Sequence, residues 1–101
     1  MAQRILEVLA EATADARDAQ LWYAQRSADA AANFVIELDK GIEKVVEAPM
    51  RWPKHDYGTR RYRLDTFPYL IVYRLSPDRI RIMAIQHSKR RAMFWRDRGK
   101  E

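Results

Sequence analysis

A chain of 101 residues, 48% hydrophobic and with only seven glycines and prolines, suits one folded core, is too short for two comfortable ones and lacks the make-up of a disordered tail. With no cysteine and two histidines it offers no disulfide, no thiolate site and no metal-ligand spacing, so neither metal nor cofactor is expected. The net charge of +5 hides five basic against nine acidic residues over 1–50 and fourteen against five over 51–101, where eleven of the fourteen are arginine.

That imbalance predicts an acidic or polyanionic partner for the C-terminal half, because the planar fork of arginine suits phosphates and carboxylates. No apolar run approaches the roughly 20 residues of a membrane span, and the start lacks a signal-peptide pattern. A cytoplasmic protein with no membrane association is therefore expected.

Arg4 to Glu11 reads as a first strand, with helix as the alternative for so short an apolar run. Thr13 is placed to cap a helix over Ala14 to Arg26, in which Ala16, Ala19, Trp22 and Tyr23 share a stripe that suits core packing. Ser27 can cap a second helix from Ala28 to about Glu47, whose apolar residues Ala31, Phe34, Val35, Leu38, Ile42, Val45 and Val46 recur at offsets of three and four. Pro49 ends it. Gly41, inside the pattern, either permits close packing or is tolerated at a cost of about 1 kcal/mol relative to alanine. So tight a connection makes the two helices an antiparallel hairpin laid over a sheet face.

Ala48 to Tyr57 reads as a loop pinned to the core by Trp52. A strand from Gly58 to Asp65 puts Tyr62 and Leu64 on one face and Arg61 and Arg63 on the other. Phe67 to Leu75 is apolar on both faces apart from Pro68 and Arg74, the pattern of a strand covered on both sides. The turn at Ser76-Pro77-Asp78-Arg79 leads into Ile80 to Gln86, with Ile80, Ile82 and Ala84 facing one way and Arg81, Met83, Ile85 and His87 the other. Ser88 to Arg98 then leaves as a short helix or turn, from which Met93, Phe94 and Trp95 can seal the sheet edge while the arginines stay in water. Arg60, Arg61, Arg63, Arg79, Arg81, His87, Lys89, Arg90 and Arg91 thus frame an apolar slab.

This order of strand, two helices and three strands, with Arg63-Leu64, Phe67-Pro68-Tyr69 to Tyr73-Arg74, and Ile85 through His87 to Arg90, resembles the RelE/ParE superfamily, the toxin halves of bacterial type II toxin–antitoxin pairs. The resemblance covers nearly the whole chain. It implies a single α+β domain over 1–101 in β-α-α-β-β-β order, with the helical hairpin on a mainly antiparallel sheet and a short C-terminal helix or tail. It further implies an acidic, partly disordered antitoxin that folds onto the toxin.

Two chemistries divide the superfamily: one branch cleaves messenger RNA on the ribosome, and the ParE-like branch poisons DNA gyrase without the nuclease residues. Metal-free RNA cleavage needs an acid–base group and cations around the phosphate. In that case His87, Arg63 and Arg90 would be the catalytic set, with Arg61 and Arg81 as further cations. The tail, however, offers Phe94 and Trp95 where the resembling nucleases carry a tyrosine or histidine, and these rings can only stack on a base. His87 has an equally simple structural role, hydrogen-bonding the tail at the strand's end. The gyrase branch is therefore the expected one, with Arg61, Arg63, Arg81, Lys89, Arg90, Arg91 and Trp95 as the residues expected to contact the target or a nucleic acid.

Overall fold

The structure, a computed structural model, describes residues 4–90 and 94–99. Five strands, β1 (Ile5–Val8), β2 (Lys54–His55), β3 (Thr59–Arg63), β4 (Tyr69–Ser76) and β5 (Arg79–His87), form one sheet in the order β1-β5-β4-β3-β2. β1 runs parallel to β5 and every other pairing is antiparallel. Helices α1 (Ala10–Ala24) and α2 (Ala28–Glu47) form the hairpin, α1 over β5 and α2 reaching β3. Among the described residues no helix is long and apolar enough to cross a membrane.

α2 follows the periodicity that predicts it. Ser27 accepts a hydrogen bond from the Ala30 amide at 3.2 Å, and Phe34, Leu38, Gly41 and Val45 are buried along one stripe. Gly41 is there for space, since a Cβ at that position would stand 2.8 Å from Cδ1 of Ile71 and 3.1 Å from both Leu64 and Tyr62. α1 begins at Ala10, four residues earlier than expected, with Leu9 and not Thr13 at the cap position. The Leu9 amide donates to the Ile82 carbonyl at 3.1 Å, which holds Leu9 extended and lets the chain pass from strand to helix with no side-chain cap. Trp22 on α1 is half-exposed, whereas Ala19 is buried and Tyr23 packs on the core.

The expected loop holds the two-residue strand β2 and a 3₁₀ turn over Asp56–Gly58. Trp52 anchors it, donating from Nε1 to the Lys44 carbonyl at 3.2 Å and standing edge-on to Tyr62 at 4.6 Å. Arg60 serves the same loop through the Met50 and Trp52 carbonyls, at 3.1 and 2.8 Å.

β4 is covered on both faces, as its composition requires. Ile71 and Tyr73 meet the helices in the larger core; Leu70 and Val72 meet Met83, Ala84 and Trp95 in a second, smaller one. The strict alternation expected of β5 fails. Tyr73 pairs with Ile82 and Val72 with Ala84, so Met83 is a surplus residue, a β-bulge. Downstream of it the faces exchange: Ile85 joins Ile80 and Ile82 against the helices, and Ala84 joins Met83 on the other side. Trp95 likewise departs from its expected place at the sheet edge, lying fully buried on the sheet face. Met93 lies outside the described residues.

β1 pairs with β5 only as far as Ile82, which leaves Met83 and Ile85 at an open edge. Two side chains close it. Asp15 of α1 accepts from the Ile85 amide at 3.2 Å, and Arg98 donates to the Met83 carbonyl at 3.2 Å. Arg98 and Asp15 also clasp each other through two contacts, at 2.5 and 3.1 Å.

Candidate functional site

Alternation along the strands sorts the arginines. Leu64 and Tyr62 pack toward α2, so Arg61 and Arg63 project from the opposite face of β3. Tyr73 and Leu75 flank Arg74, and Ile80 and Ile82 flank Arg81, all four facing the helices, so Arg74, Arg79 and Arg81 project the same way as Arg61 and Arg63. The sheet face away from the hairpin is therefore cationic. Glu7 on β1 is held between two of these groups, its Oε1 at 3.0 Å from Arg79 Nη1 and from Arg81 Nε. Those hydrogen bonds, Arg79 first, draw the Glu7 carboxyl below its ordinary range. Arg81 is partly consumed in structure, since its Nη1 also donates to the Gly99 carbonyl at 3.1 Å.

Under this face lies a polar chain with no obvious trace in the sequence. The indole of Trp95 donates to Gln86 Oε1 at 2.9 Å, which orients the amide so that its Nε2 donates to the Arg90 carbonyl at 2.5 Å. His55 Nε2 stands 3.3 Å from the same Gln86 oxygen, and Arg61 Nη1 stands 3.3 Å from His55 Nδ1. An acceptor on one side and a guanidinium on the other place the imidazole proton on Nε2. Gln86, buried within a strand, is the residue sequence reasoning passed over; a polar side chain amid an apolar run was the available signal.

On the other side of the sheet, a cleft of about 450 Å³ opens between α1 and the ends of β4 and β5. Trp22, Tyr23, Tyr69 and Ile85 supply its apolar walls, Asp15 and Asp18 one rim, and His87 and Arg90 the other. His87 is set edge-on to Tyr69, its register partner, at 5.1 Å. Its Nδ1 accepts from the Lys89 amide at 3.2 Å, the tail-fixing role expected of it on structural grounds.

The residues expected to act together in RNA cleavage are divided by this arrangement. His87 and Arg90 share the cleft, whereas Arg63 projects from the opposite face of the sheet. The Arg90 guanidinium stacks on Phe94 at 3.6 Å. Trp95, expected to contact a target, is enclosed, with His55 against its ring at 5.8 Å and Tyr57 at 6.0 Å. Burial makes it the keystone of the second core and removes it from the accessible face. Lys89 is exposed beside the cleft, and Arg91 lies outside the described residues.

A family model, the ParE toxin of the type II toxin–antitoxin system parDE, matches residues 6–92. Among solved structures, the chromosomal ParDE toxin–antitoxin system from P. aeruginosa is similar in fold, with a TM-score of 0.77 over 86% of this chain and 98% of that one at 18% sequence identity. Curated protein sequences give no match.

Proposed function

The chain belongs to the ParE toxin family of type II toxin–antitoxin systems, and from that premise we propose that it arrests growth in the cytoplasm by poisoning DNA gyrase, without catalysing a reaction of its own. The observation that supports this most is the separation of Arg63 from His87 and Arg90 by the sheet itself. A metal-free nuclease needs its acid–base group and its cations around one phosphate. Here the two faces serve different ends, a cationic sheet face and an apolar cleft.

A cognate acidic antitoxin neutralises the toxin. The cleft, with its half-exposed Trp22 and the exposed Leu21 beside it in α1, offers apolar purchase for an amphipathic segment, and Arg90 at its rim suits a carboxylate. Arg61 and Arg63, together with Lys89, Arg90 and Arg91, are the cations assigned to the target.

Purified toxin added to gyrase should inhibit supercoiling and accumulate cleaved DNA, and expression in cells should induce the DNA-damage response. Replacing Arg61, Arg63 and Arg90 by alanine should weaken both effects. Mapped cuts in messenger RNA at the ribosomal A site, with gyrase unaffected, would instead establish the ribonuclease reading, and His87→Ala would then abolish them.

A further inference from the structure

We infer that the sheet face turned away from the helices binds the phosphate backbone of duplex DNA, with Arg63, Arg74, Arg79 and Arg96 as contacting cations. The choice of duplex DNA over RNA rests on the gyrase reading above; the cationic contact itself follows from the geometry.

The face carries more positive charge than its own carboxylates offset. Arg74 and Arg81 are direct register partners on β4 and β5, a like-charge pairing that weakens a sheet unless something anionic relieves it. Glu7 is already occupied by Arg79 and Arg81, and Arg96 has only the exposed Asp97, at 3.7 Å, beside it. Among the described residues, Arg61, Arg63 and Arg74 have no carboxylate within ion-pair distance, and Arg63 makes no side-chain hydrogen bond. A depression of about 320 Å³ lies beside the β4–β5 turn, lined by Arg74, Arg79 and Arg81.

Tyr57, in the 3₁₀ turn between β2 and β3, borders the same face beside Trp95. It is a bulky residue held in the left-handed region at φ 58°, a conformation that persists only when its surroundings impose it. Arg74 Nη2 donates to its carbonyl at 2.9 Å, and the Arg96 guanidinium lies over its ring at 5.7 Å. The residue is 47% exposed, so it keeps surface in solvent between two cations.

A protein segment is the weaker occupant. Its docking needs apolar anchors, and the apolar residues of this face, Leu70, Val72, Met83 and Ala84, are buried beneath Trp95. What remains is a set of guanidinium groups spread along the sheet, with Arg74 and Arg81 paired across β4 and β5 and Arg63 opposite Leu70, four residues along β4 from Arg74, which suits the repeated anions of a phosphate backbone.

The test uses the full chain freed of antitoxin, a fluorescent duplex of about 20 base pairs and anisotropy over a salt series. Four phosphate contacts should give a slope of log K on log salt of about −3.6, and R63A/R79A/R96A should reduce it to about −0.9. The lysine counterparts should keep the slope, and R17A/K40A/K44A on the helices should leave it unchanged. Absence of binding, an equal loss on removing the helix charges, or preferential binding of single-stranded RNA would overturn the inference. So would a triple variant that loses an acidic antitoxin peptide while holding DNA. Gyrase inhibition is read separately: intact inhibition without DNA binding refutes this inference alone, and DNA binding without inhibition refutes the gyrase reading alone.

Discussion

Replacing Gly41 by alanine sets two known effects against each other. In an open helix interior the change stabilises by about 1 kcal/mol. Here the new Cβ would stand 2.8 Å from Ile71 Cδ1, and Leu64 and Tyr62, each at 3.1 Å, leave it no lateral escape. Ile71 is fully buried, so its terminal methyl can yield only by leaving its rotamer or lifting α2 off the sheet. Overpacking of this kind costs about 1–3 kcal/mol, and the net result should be a loss of about 1 kcal/mol. Urea unfolding should show a lower midpoint at unchanged slope. Ile71→Val removes the clashing methyl and on its own should cost about 0.5–1.5 kcal/mol. In the G41A background it should cost nothing or stabilise, a coupling of about 1 kcal/mol. A more stable G41A, or strict additivity with I71V, would refute the close-packing account.

Phe34→Ala should cost about 3–5 kcal/mol in the same assay, since the fully buried ring meets Tyr23, Phe67 and Tyr69 at 5.3–5.5 Å. Asp15→Asn should destabilise by about 2–4 kcal/mol because it strands Arg98, whose side chain is 16% exposed, and D15N/R98M should recover part of the loss. Burial pushes the Tyr73 hydroxyl, which donates to the Pro49 carbonyl, up to about 12. The folded state thus keeps a proton that the unfolded state loses from about pH 10, so this stabilisation is complete below pH 10 and disappears as pH rises toward 12. Tyr73→Phe should flatten that limb of the stability–pH curve; burial also raises Tyr23, Tyr62 and Tyr69, so a residual slope should persist.

What could be read from the sequence depended on how locally each feature is encoded. The spacing from Ala31 to Val46 and the Ser27 cap lie within one element and specify α2 directly. The double-sided apolar run of β4 announced two covering layers, and the family resemblance implied the order of elements along the chain, apart from the two-residue β2. Features made by distant partners were out of reach. Thr13 looked like a cap because the bond that starts α1 early comes from Ile82 on another strand. The Asp15–Arg98 clasp joins residues 83 positions apart, and nothing in their surroundings marks them as partners. Trp95 shows the same limit at the site, since an aromatic among arginines reads as a stacking surface until the sheet face it covers is known.

The bulge at Met83 sets which way every later residue of β5 points. Deleting that surplus residue would leave the later side chains facing as they do, whereas keeping it without the bulge would impose plain alternation and send Ile85 and His87 to the tail side and Ala84 and Gln86 to the helix side. The cleft would lose its imidazole and the indole of Trp95 its acceptor, although neither was mutated. Sequence comparison across this region must therefore tolerate a one-residue offset, or it will equate side chains that point in opposite directions.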